Sequence, residues 1–233
     1  MFGRKPYDHR LLLQDKLNLI DLAFEAYDAK TFADLGGVWR VEGGYSFYAA
    51  SKHGATGHLV DTHPTERVRK IAARWPQVAL VEGSFGDPAV AQVVSGADVL
   101  FLFDVLLHQV RPDWDEILRM YAGARIILIY NQQWTGPETV RLTDLGESDY
   151  FLNTPHRRDE PPYDSLFDKL DEPHPDHGGR TWREVHHVWQ WGITDRSLLS
   201  ALWDLGYRLE HFKDCGRFGT LPRFENHAML VRK

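Results

Sequence analysis

Thr31-Phe32-Ala33-Asp34-Leu35-Gly36-Gly37-Val38-Trp39, followed by His58-Leu59-Val60-Asp61, decides the reading of this chain. The first stretch is an apolar strand ending in a carboxylate and a glycine pair. A helix-length interval follows, and the second short strand ends in another carboxylate. Glycines at a strand end let the backbone approach a ligand closely, and a carboxylate at the tip of the next strand can accept both hydroxyls of a ribose. The pattern predicts half of a nucleotide-binding site.

Outward from this stretch, strand-like runs recur at 31–35, 57–60, 78–81, 98–103 and 125–130. Between them, 45–53, 64–75, 88–95 and 113–121 suit helices, with Pro64 in a first turn and Thr62 as its cap. Strands alternating with helices imply a mostly parallel twisted sheet of the α/β class, with right-handed crossovers and helices on both faces. Ahead of the first strand, Leu13, Leu17, Ile20 and Phe24 fall at helical spacing, so residues 1–30 form an N-terminal helical segment. Residues 131–187 change character: they are polar, aromatic-dotted and rich in proline, too long for a simple loop, and read as an inserted cap. Regularity returns with a helix over 197–203, capped by Thr194 or Asp195 and ended by Gly206. Runs at 207–212 and 226–231 then form a C-terminal antiparallel hairpin. The whole 233-residue chain is expected to be one domain with an insertion.

Composition narrows the function classes. Net charge is -6, which argues against nucleic acid as the main partner. No apolar run nears the roughly 20 residues that cross a bilayer, and Met1-Phe2-Gly3-Arg4-Lys5 lacks an apolar leader core, so a cytoplasmic protein without membrane attachment is expected. A homodimer is compatible with the chain. Cys215, the single cysteine, excludes an intrachain disulfide. Of the 8 Trp and 12 His, 5 Trp and 7 His lie in the C-terminal half, where they invite a site reading.

Five βα units finished by a helix and a hairpin resemble the class I, Rossmann-like, S-adenosylmethionine-dependent methyltransferases, over 31–130 and 188–232. Asp34-Leu35-Gly36-Gly37 resembles the first motif, under the amino-acid part of the cofactor, and Asp61 the acidic residue that holds the ribose. Glu82-Gly83-Ser84-Phe85-Gly86-Asp87 is similar to the adenine-lining segment, with Ser84 or Asp87 at the exocyclic amine and Phe85 on the ring. Asp98 to His108 resembles the fourth strand and the start of its helix, with Asp104 beside the cofactor. The resemblance implies a methyltransferase using S-adenosylmethionine. The motif departs from Gly-x-Gly-x-Gly: Val38 to Glu42 intervene before Gly43-Gly44, an insertion that leaves Gly43-Gly44 to open the first helix. A nicotinamide-dependent dehydrogenase would need Gly-x-Gly-x-x-Gly directly after the first strand, a spacing absent here.

Methyl transfer to a hydroxyl needs donor and acceptor in line and benefits from a base near neutral pH. His108, at the end of the fourth strand, is the candidate base. Asp104 and His108 lie four apart, on one face if a helix begins at Asp104, and with a cap ligand they could hold Mg²⁺. Acceptor-binding candidates are Tyr45, Asn131, Gln132, Trp134, His187 and Trp189. The three residues Asn131-Gln132-Gln133 offer amides just past the fifth strand, and Trp189 with Trp191 forms one apolar wall if 188–191 is a strand. His174-Pro175-Asp176-His177 is dense in donors but lacks the second element of a zinc site. Together these residues predict O-methylation of a small polar molecule, with a sugar or glycosidic precursor first, under a cap that sets specificity rather than stability. Other small metabolites, nitrogen acceptors and a catalytically silent binding domain are the alternatives.

Overall fold

The computed structural model describes residues 6–233, so the reading of Met1 to Lys5 lies outside it. Helix α1 spans Gln14–Ala26, and β1 covers Thr31–Leu35. The alternating units that follow are α2 (Gly44–His53), β2 (Thr56–Asp61), α3 (Glu66–Ala72), β3 (Val78–Glu82), α4 (Pro88–Val94), β4 (Val99–Phe103), α5 (Trp114–Met120) and β5 (Ile126–Trp134). A long insertion carries β6 (Val140–Arg141), α6 (Glu147–Asn153) and β7 (Trp191–Gly192); then α7 (Asp195–Asp204), β8 (Arg208–Arg217) and β9 (Phe224–Arg232) complete the chain.

Seven strands form one sheet in the order β3-β2-β1-β4-β5-β9-β8. The first five are parallel, and β9 and β8 add antiparallel. Strand alternation sends neighbouring side chains to opposite faces. In β4, Val99, Phe101 and Phe103 join α1 and α2 in one core, while Leu100 and Leu102 join α4, α5 and α7 in the other. Burying each such side chain contributes about 1.5–3 kcal/mol, which is why the central strand is the most apolar. The parallel sheet, the helices on both faces and the hairpin are as the sequence predicts.

Three local expectations fail. Helix α3 starts later than Pro64, because Thr65 rather than Thr62 caps it by accepting from Val68 N at 3.2 Å. Strand β5 runs four residues past Tyr130, because β9 pairs with it through Gln132↔Asn226 and Trp134↔Phe224. The cap therefore begins after Trp134. That cap also has its own core, with Leu142, Tyr150, Leu166, Val188 and Phe224 each essentially fully buried. It is packed structure, not a loose lid, so stability belongs to it as well.

Candidate active site

The tips of β1, β2 and β4 adjoin one another because their registers are parallel: Leu35 lies opposite Val60, and Asp34 opposite Phe101. Carboxylates or glycines end all three strands. At β1, Gly36 takes a left-handed φ of +74° while its N–H donates to Val60 O at 2.8 Å. A Cβ at Gly36 would meet Val105 Cγ1 at 2.9 Å, so only glycine fits this turn. The inserted Val38 to Glu42 loop returns on itself, Gly43 N donating to Gly37 O at 2.9 Å, and Gly43 then opens α2 as expected. Trp39 at its crest is 72% exposed, with Arg40 stacked 4.3 Å from the ring.

Asp34 sits beneath this turn and not on its surface. It is buried and accepts from Ser46 Oγ at 2.7 Å. Burial pushes its carboxyl up to about 6, the Ser46 bond opposing and the Asp61 charge adding to the rise. Its carboxyl is thus placed to hold the turn from beneath. Asp61 is at the β2 tip, where Val38 N and His63 N donate to its two oxygens at 3.0 and 2.9 Å. Each oxygen keeps a further acceptor position. Phe85 reaches the same place: its ring is 3.5 Å from where a Gly36 Cβ would stand, and its carbonyl is held by Tyr121 Oη at 2.7 Å. Ser84 accepts from Gly86 N at 3.2 Å, and Asp87 caps α4 through Ala89 N at 2.8 Å, so both shape the segment that Phe85 belongs to.

Asp104, just past β4, has φ +60° and is not in a helix; the short turn that follows covers only Leu106–His108. The helical face that would align Asp104 with His108 is therefore not formed. Lys16 from α1 pairs with Asp104, and Gln132 Nε2 donates to its other oxygen at 2.7 Å. Lys16 is almost fully buried, and its ammonium lies 4.8–5.5 Å from the ring centres of Tyr130, Tyr45 and Phe103. Sequence reasoning missed Lys16, although its place three residues after Leu13, on the apolar stripe of α1, marks it as a buried cation. Tyr45 helps hold α1, its hydroxyl accepting from Leu13 N at 3.0 Å, and its ring is buried.

His108 faces the cap. Its ring meets Trp189 edge-on at 6.0 Å, and its Nδ1 is buried without a hydrogen-bond partner. Burial drops it to about 4, the Asp104 charge opposing, so the ring is neutral at neutral pH. The missed His156 is also lowered to about 4 by burial and stacks 4.0 Å from Tyr163. His156 Nε2 and His187 Nε2 are likewise buried without partners, and Tyr163 packs against both rings. An unfilled buried polar atom costs about 1–3 kcal/mol, so three such nitrogens in one region point to a ligand or water that fills them.

The other acceptor candidates are placed differently. Asn131 is interior to the β5–β9 ladder and donates to Gln132 O at 3.1 Å, so its amide is not beyond the strand end. Gln132 holds Asp104. Trp134 and Trp189 are both buried against Phe224 in the cap core. Trp191 lies in a different core and donates to Gln109 O at 2.9 Å, so the two tryptophans do not form one wall. An open recess of 740 Å³ between α5 and α7, lined by Trp114, Arg119, Arg196 and Asp204, contains none of these residues. Among the described residues, no helix is long and apolar enough to cross a membrane.

No family model matches the chain, and no curated protein matches it by sequence. Solved structures do match by shape. The N-terminal domain of EvdMO1, determined in the presence of S-adenosylhomocysteine and D-fucose, is 15% identical with a TM-score of 0.59, over 94% of this chain and 83% of that one. The Burkholderia thailandensis 1,6-didemethyltoxoflavin N1-methyltransferase, with 1,6-didemethyltoxoflavin and S-adenosylhomocysteine bound, is 11% identical with a TM-score of 0.56, over 94% and 78%. The mitomycin 7-O-methyltransferase MmcR is 17% identical with a TM-score of 0.55, over 94% and 54%. This chain has the class I, Rossmann-like fold that these methyltransferases share.

Proposed function

We propose that this chain is an S-adenosylmethionine-dependent methyltransferase that methylates an oxygen of a small polar acceptor, a sugar or glycosidic precursor. The observation that carries the reading is the convergence of the Gly36-Gly37 turn, Asp61 and Phe85 at adjoining strand tips, with the unpartnered His108 a few residues past β4. The fit to the cofactor rests on that turn: glycine alone is tolerated at Gly36, and Asp61 stands where a ribose diol would meet a carboxylate. When bound, S-adenosylmethionine would supply a sulfonium methyl group that an acceptor oxygen can attack in line, with S-adenosylhomocysteine as the leaving thioether.

The chain's own residues do the rest. Asp34 and Ser46 fix the turn from below. Phe85 packs along the ring system, while Lys16, Asp104 and Gln132 tie α1 to the β4 tip and to β5 beside it. Lys16 already supplies the cation beside Asp104, so the proposal routes nothing through Mg²⁺. His108, neutral at neutral pH, takes a hydrogen bond from the acceptor hydroxyl and receives its proton as the new bond forms. His156 and His187 offer further nitrogens to the acceptor's other hydroxyls, and Tyr163 an apolar face. The D-fucose present with EvdMO1 supports a sugar ring as acceptor class.

Incubation with labelled S-adenosylmethionine and a panel of sugars, glycosides and heteroaromatic hydroxy compounds tests this, read as S-adenosylhomocysteine release and methyl position by mass spectrometry. O-methyl sugar product from the intact chain, reduced at least about tenfold in His108→Ala with cofactor affinity unchanged, is expected. Turnover confined to nitrogen or aromatic acceptors overturns the acceptor class, and full turnover by His108→Ala overturns its role.

A further inference from the structure

A second polar cluster lies away from the strand tips, where the β8–β9 hairpin meets the first turn of α7. His227 in β9 is nine-tenths buried, and its Nδ1 is 2.9 Å from Asp195 Oδ1. Its Nε2 lies 3.7 Å from Glu225 Oε2 and 4.0 Å from Asp214 Oδ1. Topology explains the convergence. Glu225 and His227 are two apart on one strand and share a face, and Asp214 stands directly opposite His227 in the ladder. A register irregularity follows Asp214, whose Oδ1 also accepts from Gly216 N at 2.7 Å.

Charge distinguishes this cluster from others. Three carboxylates face one imidazole, and among the described residues no Lys or Arg pairs with Asp195, Asp214 or Glu225. The comparable Asp21, Glu25 and His53 group already holds a cation, Lys52 Nζ at 2.7 Å from Asp21. The cluster thus favours a positive charge that no Lys or Arg among the described residues supplies.

We propose that Asp214, Glu225 and His227 bind a divalent transition-metal ion of the zinc class, with Asp195 orienting the imidazole from its other nitrogen. Their ligand atoms lie within 4.8 Å of one another. Ligands about 2.1 Å from a tetrahedral zinc ion stand about 3.4 Å apart, close to the 3.7 and 4.0 Å between Nε2 and the two carboxylates. A carboxylate behind a metal-bound histidine fixes the tautomer that leaves Nε2 free to bind. The ion would clamp the hairpin to α7, with its remaining positions open to water.

Equilibrium dialysis of the chelator-treated full chain against Zn²⁺, with metal quantification and circular dichroism as a fold control, tests this. Wild type should retain one equivalent. His227→Gln should weaken retention about 10- to 100-fold, and so should Glu225→Gln, whose half-exposed side chain can change without disturbing the core. Asp21→Asn should retain zinc as wild type does. No retained zinc in wild type, or equal retention in both folded cluster variants, overturns the proposal.

Discussion

Gly37→Ala tests whether the buried carboxylate of Asp34 builds the glycine turn. An added Cβ would lie 2.4 Å from Asp34 Oδ2, 2.6 Å from Cγ and 2.7 Å from Oδ1. Ordinary contact begins near 3.4 Å, so the overlap is about 0.7–1.0 Å on three atoms at once. The carboxylate has nowhere to go, being 1% exposed and held by Ser46 Oγ at 2.7 Å. Overpacking of this kind costs about 1–3 kcal/mol, and losing the Ser46 bond adds about 1 kcal/mol. A total near 2–4 kcal/mol should lower Tm by about 4–16 °C for a domain of this size. Asp34→Ala removes the obstacle, so Gly37→Ala in that background should cost less than about 1 kcal/mol, a coupling well outside the additivity of independent sites. Thermal and urea unfolding of the four proteins closes the cycle. Additive effects within about 0.5 kcal/mol would refute the contact as the cause.

Lys16→Met should destabilise by about 1–3 kcal/mol, below the usual range for a buried pair because Asp104 is 37% exposed and keeps Gln132; urea unfolding reads this, and Asp104→Asn should recover part of it. Leu166→Ala, at a site 1% exposed, should cost about 2–4 kcal/mol, whereas a dispensable lid would lose nothing in thermal unfolding. The histidine region makes stability depend on pH. His108 and His156 protonate near 4 when folded and near 6.5 when unfolded, so the unfolded chain takes up protons first as pH falls from 6.5 to 4, and stability is lost over that window. Removing one buried ring, as in His156→Gln, should flatten the decline in urea midpoints between pH 7 and 4.5, and an unchanged slope would contradict the assignment.

How far the sequence reveals such a site depends on how local its causes are. Strand β1 and the opening of α2 were legible because apolar runs, a glycine pair and helix spacing act within a few residues. The extension of β5 was not, because Asn131 to Trp134 are polar or bulky by themselves and become strand only through pairing with β9, some 90 residues later. The same distance hides the roles of Trp134 and Trp189, whose burial depends on Phe224 from the last strand. Asp34 looked like a ligand contact because the motif names its position. Only the three-dimensional turn reveals that Gly37 lies over it. Lys16 left a signal, a charge on an apolar stripe, but its partner Asp104 is 88 residues away.

Calorimetric titration of S-adenosylhomocysteine into wild type and Asp61→Ala tests the central claim most directly. The account predicts one site in wild type, and in the folded variant a loss of about 1.5–3 kcal/mol, or roughly 10- to 150-fold in Kd, as the ribose hydroxyls lose a charged acceptor. No heat of binding in wild type would contradict the cofactor reading, and equal affinity in Asp61→Ala would contradict the place given to it.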